Sequence, residues 1–111
     1  MTGNEYQLAA YRTVNSELTQ TNMLIDGLMG LCGESGECID ILKKALFQGH
    51  ELDVEHIAKE LGDVAWYLAI SAVAIDYSLD EIFEMNIEKL KARYPEGFDS
   101  ERSTNREEGD I

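Results

Sequence analysis

A chain of 111 residues is one domain with a modest core, so association with copies of itself is a natural way to bury more surface. Apolar residues make up 44% of it and proline occurs once, which suits an all-α fold whose helices run long without interruption. The formal net charge of −13, from 22 acids against 9 bases, repels a nucleic-acid backbone, and neither an apolar leader-like stretch nor an uninterrupted apolar run of membrane-spanning length occurs, so a cytoplasmic protein is expected.

In chain order, Asn4 can cap a first helix reaching about Leu18, with Tyr6, Leu8, Ala9, Tyr11 and Val14 at helical spacing. From Thr21 to Phe47, Leu24, Leu28, Leu31, Cys38, Ile41, Leu42 and Leu46 keep the period of a long second helix. Lys43 and Lys44 sit near its end and Gly49 lies just beyond. Gly27, Gly30, Gly33 and Gly36 interrupt this helix at about 1 kcal/mol each relative to alanine. Either another helix packs tightly on the flat strip they form, or a ligand or metal needs the room at Gly33 and Gly36. Cys32 and Cys38 point in different directions on an intact helix, cannot bridge each other, and read as buried packing thiols in a reducing compartment.

Asp53 caps a third helix to about Tyr77, and its stretch from Val64 to Ile75 is apolar nearly all round. Such a helix needs cover on all sides, more than a four-helix monomer of this size offers, so the pattern predicts a homo-oligomer with this helix at the interface. Ser78-Leu79-Asp80-Glu81 is a capping box that opens a fourth helix, which ends near Arg93 and Tyr94 ahead of Pro95. Residues 96–111 are mixed in charge and poor in apolar groups apart from Phe98 and Ile111, which predicts an extended or disordered tail. The chain therefore divides into a helical domain over residues 1–98 and a flexible polar tail over 99–111.

Chemistry concentrates in two acid pairs, Glu34-x-x-Glu37 and Glu60-x-x-Asp63. Residues three apart share a helix face, so each pair aims two carboxylates in one direction. Glu34 and Glu37 continue into Ile41 and Lys44, while His56, Glu60, Asp63 and Tyr67 form a second stripe. If the two helices pack antiparallel, the pairs can face one another. Most such pairs simply face water, but these lie in apolar or glycine-rich surroundings, where an unpaired carboxylate is costly. Four converging carboxylates need a cation, and a hard divalent ion that prefers oxygen, Mg²⁺ or Mn²⁺, suits them. On the fourth helix Asn86, Lys89 and Arg93 make a polar stripe, either a solvated face or a wall that grips phosphate oxygens while the ion bridges from the other side. Arg102 and Arg106 in the tail could fold over such a site.

Other chemistries fit less well. A helical di-iron site needs Glu-x-x-His pairs, which neither His50 nor His56 completes. No base is spaced to activate Cys32, Cys38 or Ser35, and nitrogen and sulfur ligands for zinc are scarce.

The segment Gly30-Leu31-Cys32-Gly33-Glu34-Ser35-Gly36-Glu37, followed after 22 residues by Glu60-Leu61-Gly62-Asp63-Val64-Ala65-Trp66-Tyr67-Leu68, resembles the signature of MazG-like all-α nucleoside triphosphate pyrophosphohydrolases. The later run Asn86-x-x-Lys89-Leu90-x-x-Arg93-Tyr94-Pro95 is similar to that family's fourth-helix motif, so the likeness spans roughly residues 5 to 98. The resemblance implies a four-helix-type bundle completed by dimerisation or tetramerisation, with Mg²⁺ held by Glu34, Glu37, Glu60 and Asp63. It further implies release of pyrophosphate from a nucleoside triphosphate, with Asn86 and Lys89 near the phosphates and Tyr67 and Arg93 near the substrate. Glu34 and Glu37 are both candidates for the general base. A specialised relative acting on dUTP, dCTP or phosphoribosyl-ATP, and a catalytically silent helical adaptor, are the alternative readings.

Overall fold

Two long helices carry the architecture. The computed structural model describes residues 1–111 as α1 (Gly3–Tyr11), α2 (Gln20–Phe47), α3 (Val54–Ala74), α4 (Leu79–Arg93) and α5 (Ser100–Thr104), with no strand beyond a lone bridge between Pro95 and Gly97. The fold is all-α, as composition and period predict. The α2 and α3 helices make the most extensive helix pair of the chain, α1 lies across α3, and α4 leaves from the far end of α3.

Local sequence accounts for most boundaries. Ser78 and Glu81 form the reciprocal capping box expected at the start of α4, and the Asp53 side chain accepts from the His56 main chain to start α3. Helix α2 begins and ends within a residue of its predicted limits.

Three boundaries differ. Thr2, with Glu5, provides the capping box of α1 rather than Asn4, whose side chain instead accepts from the Asp80 main chain. Helix α1 also stops at Tyr11 instead of Leu18, because Thr13 turns back to the Ala10 carbonyl, Asn15 accepts from the Glu17 main chain, and Thr19 caps α2. Helix α3 stops at Ala74 rather than Tyr77. Asp76 adopts a left-handed φ of 61° while its own N–H and that of Tyr77 return to Val73 and Ala72, a Schellman-type stop usually marked by glycine.

The core is small: Ala10, Met23, Ala69, Ile70, Ala72, Ala74 and Leu79, with Trp66, Leu68, Val73 and Ile82 packed around it. Gln7 crosses it as a bracket, donating to the Ala69 and Tyr77 carbonyls and accepting from the Leu79 main chain, so one amide ties α1 to α3 and α4. Helix α3 finds more cover within its own chain than its all-round apolar pattern led us to expect, since α1 and α2 enclose Ala69 to Ala72. The exposed apolar side chains lie mainly on α2, at Met29, Ile39, Leu46 and Phe47, and on α4, at Phe83, Met85 and Ile87. From Phe83 to Ala92 every residue of α4 is exposed.

Both cysteines are free, as their spacing requires, but Cys32 is exposed and Cys38 only half-buried, so the packing role expected of them is not filled within this chain. Residues 96–111, expected to be extended or disordered, contain α5 and fold back on α4. Asp110 and Arg93 form a bidentate ion pair at 2.7 and 2.8 Å. No helix is long and apolar enough to cross a membrane.

Candidate metal centre

Glycine sets the register between α2 and α3. A methyl group on Gly27 would overlap the Ser71 side chain and one on Gly30 would overlap the Tyr67 ring, so the two backbones approach closely there because neither position carries a Cβ. Continuing that antiparallel register by one turn sets Glu34 across from Glu60 and Asp63. One oxygen from each of these three acids lies within 4.8 Å of the other two. Glu34 and Glu60 are half-buried and Asp63 is exposed.

Three carboxylates this close cannot all carry full charge without an answer. The Glu34 carboxyl is pushed above its ordinary value, first by a hydrogen bond shared with Glu60, then by partial loss of water, then by the charges of Glu60, Asp63 and Glu37. No lysine or arginine relieves it. Lys43 and Lys44 pair with Asp40, Lys59 with Glu55, Lys91 with Glu88 and Arg93 with Asp110. The one side chain that reaches the group is His56, whose Nε2 lies 3.2 Å from a Glu60 oxygen. An all-oxygen, uncompensated donor set of this kind fits a hard divalent cation. Glu37 is exposed one turn beyond Glu34 and adds negative charge without joining the three.

The glycine strip divides in two. Gly27 and Gly30 serve tight packing, whereas a Cβ at Gly33, Gly36 or Gly62 would meet no atom within 4 Å, which leaves open space beside the acids. Tyr67 fills the notch at Gly30 and stands edge-on to Trp66, with ring centres 5.0 Å apart. The Trp66 indole in turn donates to Thr13 at 2.8 Å. From α1, the Tyr6 hydroxyl lies 3.5 Å from the Gly62 carbonyl, and burial, followed by the Asp63 charge, pushes that phenol upward. Sequence reasoning missed Tyr6 and Thr13, because nothing in local spacing reports which face of α3 a separate helix crosses. His56 was legible, since it shares the stripe of Glu60 and Asp63.

The fourth-helix residues are not joined to the acids in this chain. Asn86 and Lys89 are exposed, and no hydrogen bond or ion pair links Asn86, Lys89 or Arg93 to any of the four carboxylates. Arg93 is held instead by Asp110, which raises the guanidinium further and lowers the Asp110 carboxyl below the usual range. Lys89, Arg93, Arg102, Arg106 and Asp110 line a cleft of about 310 Å³ that includes none of Glu34, Glu37, Glu60 and Asp63. Arg102 and Arg106 thus lie beside Lys89 and Arg93 rather than over the acid cluster.

Comparison with known proteins adds an independent observation. Residues 25–98 match the family model described as the MazG nucleotide pyrophosphohydrolase domain, a span that holds all four acids and the fourth-helix stripe. The chain is also 34% identical over 100 residues to the Gene 37 protein of Mycobacterium phage L5, covering 83% of this chain and 88% of the phage protein, whose name states no activity. No solved structure matches the chain.

Proposed function

The chain belongs to the MazG nucleotide pyrophosphohydrolase family, and from that premise we propose that it hydrolyses nucleoside triphosphates, ribo or deoxyribo, to the monophosphate and pyrophosphate. The biological role we assign is the removal of unwanted or excess nucleotides. The observation that carries this reading is the convergence of Glu34, Glu60 and Asp63 on one uncompensated point between α2 and α3.

The proposed ligands are Glu34, Glu37, Glu60 and Asp63, with Glu37 turning inward by rotation of an exposed side chain. Bound there, Mg²⁺, or Mn²⁺ in its place, would neutralise the triphosphate oxygens and make an attacking water more acidic. The chain supplies the rest. A carboxylate takes the proton as the water oxygen bonds to the α-phosphorus, and the bond to the bridging oxygen breaks to release pyrophosphate. Glu34 and Glu37 are both candidates for that carboxylate: Glu34 stands within the converging group, and Glu37 is exposed one turn beyond it. The open space at Gly33 and Gly36 leaves room for the phosphates.

Asn86, Lys89 and Arg93 would meet the phosphates and Tyr67 would lie beside the substrate. The exposure of α4 favours delivery of Asn86 and Lys89 within a homodimer or homotetramer, where the apolar side chains of α2 and α4 would also find cover. A negative surface accommodates such a substrate because the triphosphate arrives with its cation.

A panel of common and modified triphosphates, assayed for pyrophosphate with Mg²⁺, tests the reading. Broad turnover supports it, and release confined to dUTP, dCTP or phosphoribosyl-ATP would mark a specialised enzyme. The Asp63→Ala variant should lose turnover by at least about 100-fold, the upper end of what outer-shell changes alone cause, with its helical circular dichroism retained. Absence of turnover on every compound would favour the adaptor alternative, and undiminished activity in Asp63→Ala would remove that residue from the site.

A further inference from the structure

We propose that His56 is a positioning residue for the ion site: its imidazole holds the Glu60 carboxylate in the orientation that faces Glu34 and Asp63. The inference rests on the metal reading above and concerns a side chain outside the acid motif. His56 Nε2 lies 3.2 Å from a Glu60 oxygen, one turn along α3, and a carboxylate accepts, so Nε2 carries the hydrogen. The histidine is itself anchored where α3 begins, its main-chain N–H donating to the Asp53 cap at 3.0 Å. It is not one of the converging ligands, because the oxygens within 4.8 Å of one another come from Glu34, Glu60 and Asp63 alone.

A pair four residues apart on a helix is often only a surface contact of small effect. Exposure separates this pair from that case. In the neighbouring Lys59–Glu55 pair both side chains are open to water, at 74% and 81%, whereas here His56 is 53% exposed but Glu60 only 17%, with its oxygen within 4.8 Å of those of Glu34 and Asp63. A glutamate has three rotatable bonds, and in a cluster of like charges its cheapest escape is to swing toward solvent. A donor held one turn earlier opposes that swing. Ligating carboxylates are commonly oriented by such an outer hydrogen bond, and its loss typically weakens metal binding by about 10- to 100-fold.

Calorimetric titration of the purified full chain with Mn²⁺ alone, without nucleotide, tests the proposal. His56→Ala should weaken Mn²⁺ binding by about 10- to 100-fold. His56→Gln, whose amide can still donate, should recover most of the affinity, and the metal-free melting temperatures of both should stay near that of the parent. Parent-like Mn²⁺ affinity in His56→Ala would overturn the positioning role, as would a His56→Gln protein as weak as His56→Ala. Failure of the parent chain to take up Mn²⁺ would instead overturn the metal reading, and Glu60→Ala provides the reference for a lost ligand.

Discussion

At the scale of single residues, opposite pKa displacements give two carboxylates opposite effects on stability. Glu34 holds its proton more tightly in the folded chain than in the unfolded one, so its contribution is fully present below the ordinary carboxylate value and is lost as pH rises through the raised folded value. Asp110 lies below its ordinary value because of Arg93, so its contribution is present above the unfolded value and is lost as pH falls through the lowered one. In metal-free protein at neutral pH, Glu34→Gln should therefore raise the melting temperature and flatten its decline between mildly acidic and neutral pH. Added Mg²⁺ should stabilise the parent there by about 2.7 kcal/mol at 100 times its dissociation constant. Calorimetric melts across that pH range check both expectations, and an unchanged slope in Glu34→Gln would detach the displacement from stability. The acids themselves were readable because their spacing is local. The Asp110 pairing was not, since it lies seventeen positions beyond Arg93 and a polar tail offers no periodic signal.

At the scale of elements, the pairing of α2 with α3 decides whether the site exists. Gly30→Val places a branched side chain against the Tyr67 ring and should destabilise by about 1 to 3 kcal/mol, as overpacking does. Gly33→Ala meets open space in the same helix and should gain up to about 1 kcal/mol of helix stability. Urea melts separate the two outcomes, and equal effects at both positions would contradict the register described here. If nucleotide uses the space at Gly33, the same alanine should also slow turnover. The sequence posed tight packing and ligand room as rival explanations for four glycines. They divide the strip between them, because α3 approaches α2 closely only along the first half of the strip.

At the scale of the molecule, the chain is open for its size. Its radius of gyration is 17.2 Å, against about 13 Å for a compact domain of some 100 residues. Its accessible surface is 8204 Å², whereas the usual scaling for 12.5 kDa gives roughly 6,200 Å². The excess includes Met29, Ile39 and Phe47 on α2, exposed at 70%, 62% and 79%. Light scattering should return two or four times the 12.5 kDa chain mass, and Met29→Glu with Ile39→Glu should shift the population toward monomer. A parent protein that is monomeric at high micromolar concentration would defeat the association we propose. The helical period warned of unmet burial but assigned it to α3, since periodicity measures how apolar a helix is and not which neighbour covers it.

The amino-acid sequence alone determined the helical class, the α2 and α4 limits, the positions of four acids on two helix faces and the family likeness. Each depends on residues within a turn or two of one another, or on a motif read as a string. Only the tertiary structure decided that three of those acids meet while Glu37 stays outside, that the His56 ring lies within hydrogen-bond distance of Glu60, and that the tail clasps α4. Those facts depend on how separate helices are placed in space: the glycine spacing marked a strip for close approach, but that α3 meets it at Gly27 and Gly30 and leaves Gly33 and Gly36 open is a matter of tertiary packing.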